Sequence, residues 1–189
     1  KMKLFKKLAA AALAAVLALS MVGCGGGGTP GGGATMNDTQ ETALATLVNT
    51  DRKAVGKDEL ERSADVEAIL ANQANAMVNY LVNRNDEMQA AGAAATQETM
   101  NKLSQLEIDG KKIDMSKSET MALGLVKGVT ATPEKIKNAA MNSKRKNGEV
   151  IETVDTWTPV INADGSYLAV VWAEKDGATA VIVMNIVLK

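Results

Sequence analysis

Two neighbouring runs near the C-terminus, joined as YLAVVWAEKDGATAVIVMNIVL over residues 167–188, constrain the fold more than any other feature. Tyr167, Ala169 and Val171 alternate with Leu168, Val170 and Trp172, so both sides of the first run are apolar. In the second run Val181, Val183 and Val187 alternate with Ile182, Met184, Ile186 and Leu188, again leaving no polar side. A strand that is apolar on both faces needs cover on both faces. The segments before it, which carry helical periodicity, are the only material that can supply that cover. The expected architecture is therefore α+β, a three-layer α-β-α sandwich with a C-terminal antiparallel sheet flanked by helices. Asn-Ala-Asp-Gly and Lys-Asp-Gly turns separate three β-rich runs, 150–161, 166–174 and 178–188, which read as one antiparallel meander. Pro159 removes a backbone donor and suits an edge strand or bulge within the first run.

The helical cover can be traced by caps and spacing. Asn37 to Thr39 offer N-caps for a helix carrying Leu44, Leu47 and Val48 and closed by Arg52 and Gly56. Ser63 opens a longer helix, with Asp65 and Glu67 favouring its dipole and Val66, Leu70, Ala74, Met77, Val78 and Leu81 on one face. The stretch from Arg84 to Glu87 and the alanine-rich AAGAAAT segment are expected to end it, and Thr96 to cap a third helix presenting Met100, Leu103 and Leu106. Asp109-Gly110 predicts a small hairpin over 106–114. Ser116 and Glu119 have capping-box spacing and predict a short helix. Thr132-Pro133-Glu134 predicts another, running to the cations Lys144, Arg145 and Lys146 and stopping at Gly148.

The first 23 residues read differently. Lys3, Lys6 and Lys7 precede an uncharged run of 16 residues, Leu8 to Gly23, shorter than the roughly 20 a bilayer-spanning helix needs and suited to a secretory signal. Met21-Val22-Gly23-Cys24 follows, with the chain's one cysteine. This string resembles the lipobox of bacterial lipoproteins, which implies that Cys24 becomes the lipidated first residue of the mature chain. Gly25 to Gly33 then reads as a tether with a reach of roughly 15–20 Å. Acyl chains contribute about 0.8 kcal/mol per buried CH2, so two or three would hold the protein firmly at a membrane. The expected organisation is a signal at 1–23, a lipidated Cys24 with tether over 24–36, and one domain over 37–189, outside the cytoplasm.

Without residues 1–23, which hold four lysines and no acid, the 21 basic residues become 17 against 22 acidic ones, a net charge of −5. That balance argues against nucleic acid as a partner. The mature domain has no disulfide to lean on, since the chain has a single cysteine. Aromatic residues make up 3% of the chain, poor material for a carbohydrate- or base-stacking platform. The methionines at helical spacing read as core filling.

Four strings in order resemble the CAP superfamily, the SCP-like domain of cysteine-rich secretory proteins. LVNTDRKAVG is similar to the family's opening V-N-x-x-R-x-x-x-G helix, and Leu60, Val66, Leu70 and Ala74 follow at the spacing of its next helix. SETMALG is similar to the E-N-I-A-x-G string, with Glu119 on the glutamate and Gly124 on the glycine. AAMNSKRKNG resembles the W-M-x-S-x-x-H-R helix through Met141, Asn142 and Ser143. The resemblance implies an α-β-α sandwich with a cleft near Glu119, Ser143 and Lys146. The family's cleft usually holds two histidines and two acids, and this chain has no histidine. Lys146 falls where the second histidine would be, and a protonated lysine is a poor metal ligand, so no metal and no cofactor are expected.

The absence of histidine also excludes Ser-His-Asp and Cys-His nucleophiles. Two readings of the remaining polar residues stay open. Ser143 and Lys146, one helical turn apart, form either a Ser-Lys dyad or an ordinary helix end with dipole-compensating cations. Glu119 is either a cleft carboxylate or the reciprocal half of a capping box. The leading expectation is a membrane-anchored, non-catalytic binding module whose partner is an envelope protein, a glycan or a small ligand. An envelope hydrolase using the Ser-Lys or carboxylate site, and an unrelated α+β scaffold lipoprotein, are the alternatives.

Overall fold

A computed structural model of the chain describes residues 33–147 and 150–189. The expected signal, Cys24 and most of the tether lie outside the described residues. The elements run β1 (Thr35–Met36), α1 (Asp38–Ala54), β2 (Glu61–Arg62), α2 (Ala64–Asn83), α3 (Asp86–Gln105), β3 (Glu107–Ile108) and β4 (Lys111–Lys112). They continue as β5 (Glu119–Leu125), α4 (Pro133–Met141), β6 (Ser143–Asn147), β7 (Val150–Val154), α5 (Trp157–Asn162), β8 (Tyr167–Lys175) and β9 (Ala178–Ile186).

The central sheet has the order β1-β8-β9-β5, with β2 also on the outer side of β8. β8 and β9 are antiparallel, with Lys175 opposite Ala178 across Asp176-Gly177. Both turn residues have positive φ, 48° and 80°, as a two-residue hairpin of matching twist requires. The alternation read from the sequence sorts onto the two faces as expected. Ala169, Val171, Ile182 and Met184 pack with Val66, Leu70, Ala74 and Met77 of α2. Leu168, Val170, Trp172, Val181 and Val183 pack with Leu44 and Val48 of α1, Ile136 of α4, and Trp157 and Val160 of α5. Every position of β9 is buried. The fold is an α+β three-layer sandwich with helices on both faces of a sheet that is antiparallel throughout except for the short β2, which runs parallel to β8.

Caps position the covering helices. The Asn37 carboxamide oxygen accepts from Gln40 N at 3.1 Å to start α1, and the Thr132 hydroxyl accepts from Lys135 N at 3.3 Å to start α4. The hairpin expected around Asp109-Gly110 is β3–β4, pinned to the sheet by the Tyr167 hydroxyl, which donates to Asp109.

Several local expectations fail, each for an identifiable reason. The AAGAAAT segment is the interior of α3: Asn85 caps it by accepting from Met88 N at 2.8 Å, and alanine is the strongest helix former. Thr96 therefore lies within the helix, and its hydroxyl donates to Gly92 O at 2.9 Å. Ser116 is drawn into a turn by Asp114, whose carboxylate accepts from its N–H and hydroxyl at 3.1 and 2.6 Å. With no capping box formed, Glu119 opens strand β5 opposite Asn185. α4 stops at Met141, and residues 143–147 pair with residues 150–154 of β7 as a strand instead of continuing the helix. Thr35 and Met36, expected in the tether, pair with Glu174 and Ala173 of β8.

The run 150–161 is split between two elements. β7 pairs with β6 outside the central sheet, and Trp157–Asn162 is helix α5. The Asp155 carboxylate accepts from Trp157 N and Thr158 N, both at 2.9 Å, and from the Thr158 hydroxyl at 2.6 Å. Pro159 sits in the first turn, where its missing N–H costs nothing. Burial raises the Asp155 pKa, but the hydrogen bonds from Thr158 and Trp157 outweigh it and hold the carboxyl below the usual aspartate range. Asp155→Ala should therefore cost about 1 kcal/mol at neutral pH. A carboxyl depressed in the folded state contributes above its ordinary value and loses that contribution as pH falls through the folded one. Thermal melts of wild type and Asp155→Ala should accordingly converge below the ordinary aspartate range.

Candidate functional site

The C-terminal end of α1 carries the string LVNTDRKAVG, residues 47–56. Asn49 clasps Leu60, accepting from its N–H and donating to its carbonyl, each at 3.0 Å. Arg52, 2% exposed, donates to Asp58 O at 2.9 Å, Ile161 O at 2.9 Å and Ala163 O at 2.8 Å. Asn185, fully buried on β9, donates to Val160 O and Ala163 O at 2.8 and 3.2 Å. Together they satisfy the last carbonyls of α5, and a cation belongs at a helix C-terminus. Burial pushes the Arg52 pKa down, and Asp164 and Asp58 oppose that shift. Gly56, with φ of +77°, turns the chain out of α1. Asn49 and Arg52 thus hold the loop after α1 and the end of α5 beside α1.

A second polar cluster closes the outer edge of β8. β1 covers Ala173 and Glu174, and β2 covers Tyr167 and Leu168, leaving a gap between them. Glu67 accepts from Val170 N at 3.0 Å and Glu41 from Trp172 N at 2.9 Å. Arg62 bridges the two acids, donating from Nε to Glu67 at 2.6 Å and from Nη2 to Glu41 at 2.9 Å. Burial of the guanidinium lowers its pKa, and the hydrogen bonds and charges of Glu67 and Glu41 overcome this and raise it. Two carboxylates thereby stand in for a missing strand. Read from the sequence, Glu67 has a helix-dipole role only; nothing in the spacing of 41, 62 and 67 signals their convergence.

Glu119 stands in the central sheet opposite Asn185, and Ser143 opens the separate β6–β7 sheet. The Ser143 hydroxyl donates to Ala139 O at 3.1 Å, the last-turn carbonyl of α4. Because positions 143 and 146 belong to a strand, the helical turn that would have brought Ser143 and Lys146 together is absent. The Lys146 side chain and Cys24 lie outside the described residues. Among the described residues, no three His, Cys, Asp or Glu side chains gather into a metal-binding group, and no helix is long and apolar enough to cross a membrane.

Among the described residues, a concavity with room for a ligand lies at the β8–β9 turn. A groove of about 930 Å³ runs between residues 174–179, the loop 128–131, and Gly33, Thr35 and Gln40 at the start of the described chain. Glu174 is fixed in its wall, accepting from Trp172 Nε1 at 2.7 Å and Asn37 Nδ2 at 3.2 Å. The Lys175 ammonium donates to Asn79 at 2.6 Å. Glycines 128 and 177, with φ of +94° and +80°, expose main chain along the groove. Such a wall offers hydrogen bonds and shape. Compared with known protein families, curated proteins and solved structures, the chain matches none.

Proposed function

We propose that the protein is a lipid-anchored envelope protein of bacterial type whose folded body is a non-catalytic binding module. The Met21-Val22-Gly23-Cys24 string, followed by glycines, carries the reading. The groove beside the β8–β9 turn supports the binding half, because it adjoins residues 33–35, where the tether would arrive. Its hydrogen-bonding wall suits an envelope peptide, glycan or small polar ligand. The layered architecture supports the CAP-like resemblance at the level of fold. The strand at Glu119 and the helix end at Met141 give no support to that family's cleft, so the proposal places no chemistry there.

Metabolic labelling with radioactive palmitate tests the anchor. The wild-type chain should take up label and partition with membranes, and Cys24→Ser should lose the label and leave the membrane fraction. An unlabelled wild-type chain would end the anchoring half of the proposal. Peptide or ester hydrolysis by the purified chain that disappears in Ser143→Ala would end the non-catalytic half.

A further inference from the structure

The two edges of the central sheet are finished differently. Along β8 the outward main-chain groups are taken up by β1, β2, Glu41 and Glu67. The opposite edge is β5, and among the described residues no strand pairs with its outer side. The register identifies which groups that side presents. A two-residue turn makes Lys175–Ala178 a hydrogen-bonded pair, and alternation along the hairpin turns Thr179, Val181, Val183 and Asn185 toward β5. Their partners Leu125, Leu123, Met121 and Glu119 face back into the ladder. The N–H and C=O groups of Thr120, Ala122 and Gly124 therefore point away from β9; Thr120 and Ala122 are partly exposed, and Gly124 is buried. Hydrogen bonds outside the sheet ladders reach none of these three residues among those described.

Edges usually carry a charge, a proline or a bulge that discourages pairing. Residues 120–126 of β5 and its extension have none of these: the sequence is TMALGLV, and the ladder to β9 is unbroken from Glu119 to Leu125. The nearest flanking charges are Glu119 at one end and Lys127 at the other. In an antiparallel pair of two identical strands, the choice of central residue fixes what lies opposite what. Centring on Ala122 places Lys117 opposite Lys127. Centring on Leu123 places Glu119 opposite Lys127 at both ends, and Ala122 opposite Gly124, so that outward groups meet outward groups. Isologous pairing about a two-fold axis is the commonest way for a chain to associate with itself.

We propose that β5 is a self-association edge, through which two copies pair antiparallel about Leu123 and join their central sheets, with Glu119 of each copy opposite Lys127 of the other. This proposal is independent of the lipid anchor and of any ligand in the groove.

Disulfide trapping of the full chain in intact cells tests the register. Positions 119 and 127 are roughly 25 Å apart along one extended strand, too far to bridge within a copy. Glu119→Cys/Lys127→Cys should give a band of doubled mass on a non-reducing gel, and Lys127→Cys alone should not; the parent chain controls for Cys24. Adding Ala122→Pro, which removes an outward N–H without touching the β9 ladder, should abolish the band. Without introduced cysteines, sedimentation of the purified full chain gives a second reading. Lys127→Glu should lose the doubled-mass species, and Glu119→Lys/Lys127→Glu should regain it. A monomeric band from the double cysteine chain, an equal band from Lys127→Cys alone, or no doubled-mass species in the parent chain would overturn the proposal.

Discussion

Gly165→Ala should destabilise the protein by about 3–5 kcal/mol, an effect out of proportion to one methyl group. A Cβ at this position would lie 1.8 Å from Asn185 Oδ1, 2.7 Å from Asn185 Cγ and 2.9 Å from Leu60 Cδ1. Side-chain ends can often swing away from such a clash, but Asn185 is fully buried and its amide nitrogen holds Val160 O and Ala163 O. Movement would free two carbonyls at the end of α5 and leave the amide itself unpaired in the core. Asn185 Oδ1 has no hydrogen-bond partner among the described residues, and the Cα hydrogen of Gly165 that a methyl would replace points at that oxygen. The close approach of glycine to this amide is therefore part of how the site is filled. The thermal midpoint should fall by roughly 10–15 °C for a chain of this size. A double-mutant cycle gives the mechanism: in an Asn185→Ala background only the end of the Leu60 side chain must yield, and adding Gly165→Ala should cost less than about 1 kcal/mol. Equal costs in both backgrounds would assign the effect to the glycine backbone instead.

Much of the layered architecture is legible in the chain because β8 and β9 are apolar at nearly every position, which only a doubly covered sheet can satisfy. Asp176-Gly177, Asp109-Gly110, Asn37 and Thr132 are equally legible, since each acts through its immediate neighbours. β5 was not, because Glu119, Met121, Ala122 and Leu123 are good helix formers and become a strand only through the ladder that β9 offers. α5 was hidden in a β-branched run, although Asp155 ahead of Thr158-Pro159 is a helix-start signal that could have revealed it. Of the candidate site, the residues Asn49, Arg52 and Gly56 were visible as a pattern, and the carbonyls they serve at 161 and 163 were not. Those lie more than a hundred positions away in the chain, and only the packing of α1 beside α5 brings them within reach.

The same limit applies to Arg62, whose replacement by methionine is the second large effect expected. Glu41 and Glu67 come from different helices and meet only because the edge of β8 needs acceptors at Val170 and Trp172. Their side chains are 8% and 17% exposed, and Arg62 is 29% exposed, so solvent screens part of the interaction. Methionine fills comparable space but leaves two negative charges against one strand edge with no cation between them. Breaking a fully buried pair in this way costs roughly 3–5 kcal/mol; with this exposure about 2–3 kcal/mol is expected. Because the guanidinium's pKa is raised on folding, its contribution is complete below the ordinary arginine value and fades only above it, so alkali is no practical probe and substitution is. The decisive comparison adds Glu41→Gln and Glu67→Gln to Arg62→Met. Glutamine can still accept from Val170 N and Trp172 N, and the uncompensated charge is gone, so urea melts should recover most of the lost stability. If the triple variant is no more stable than Arg62→Met, the arginine acts through its packing and the carboxylates need no cation. If it recovers, the edge is closed by acceptors, and Arg62 is what lets those acceptors be charged.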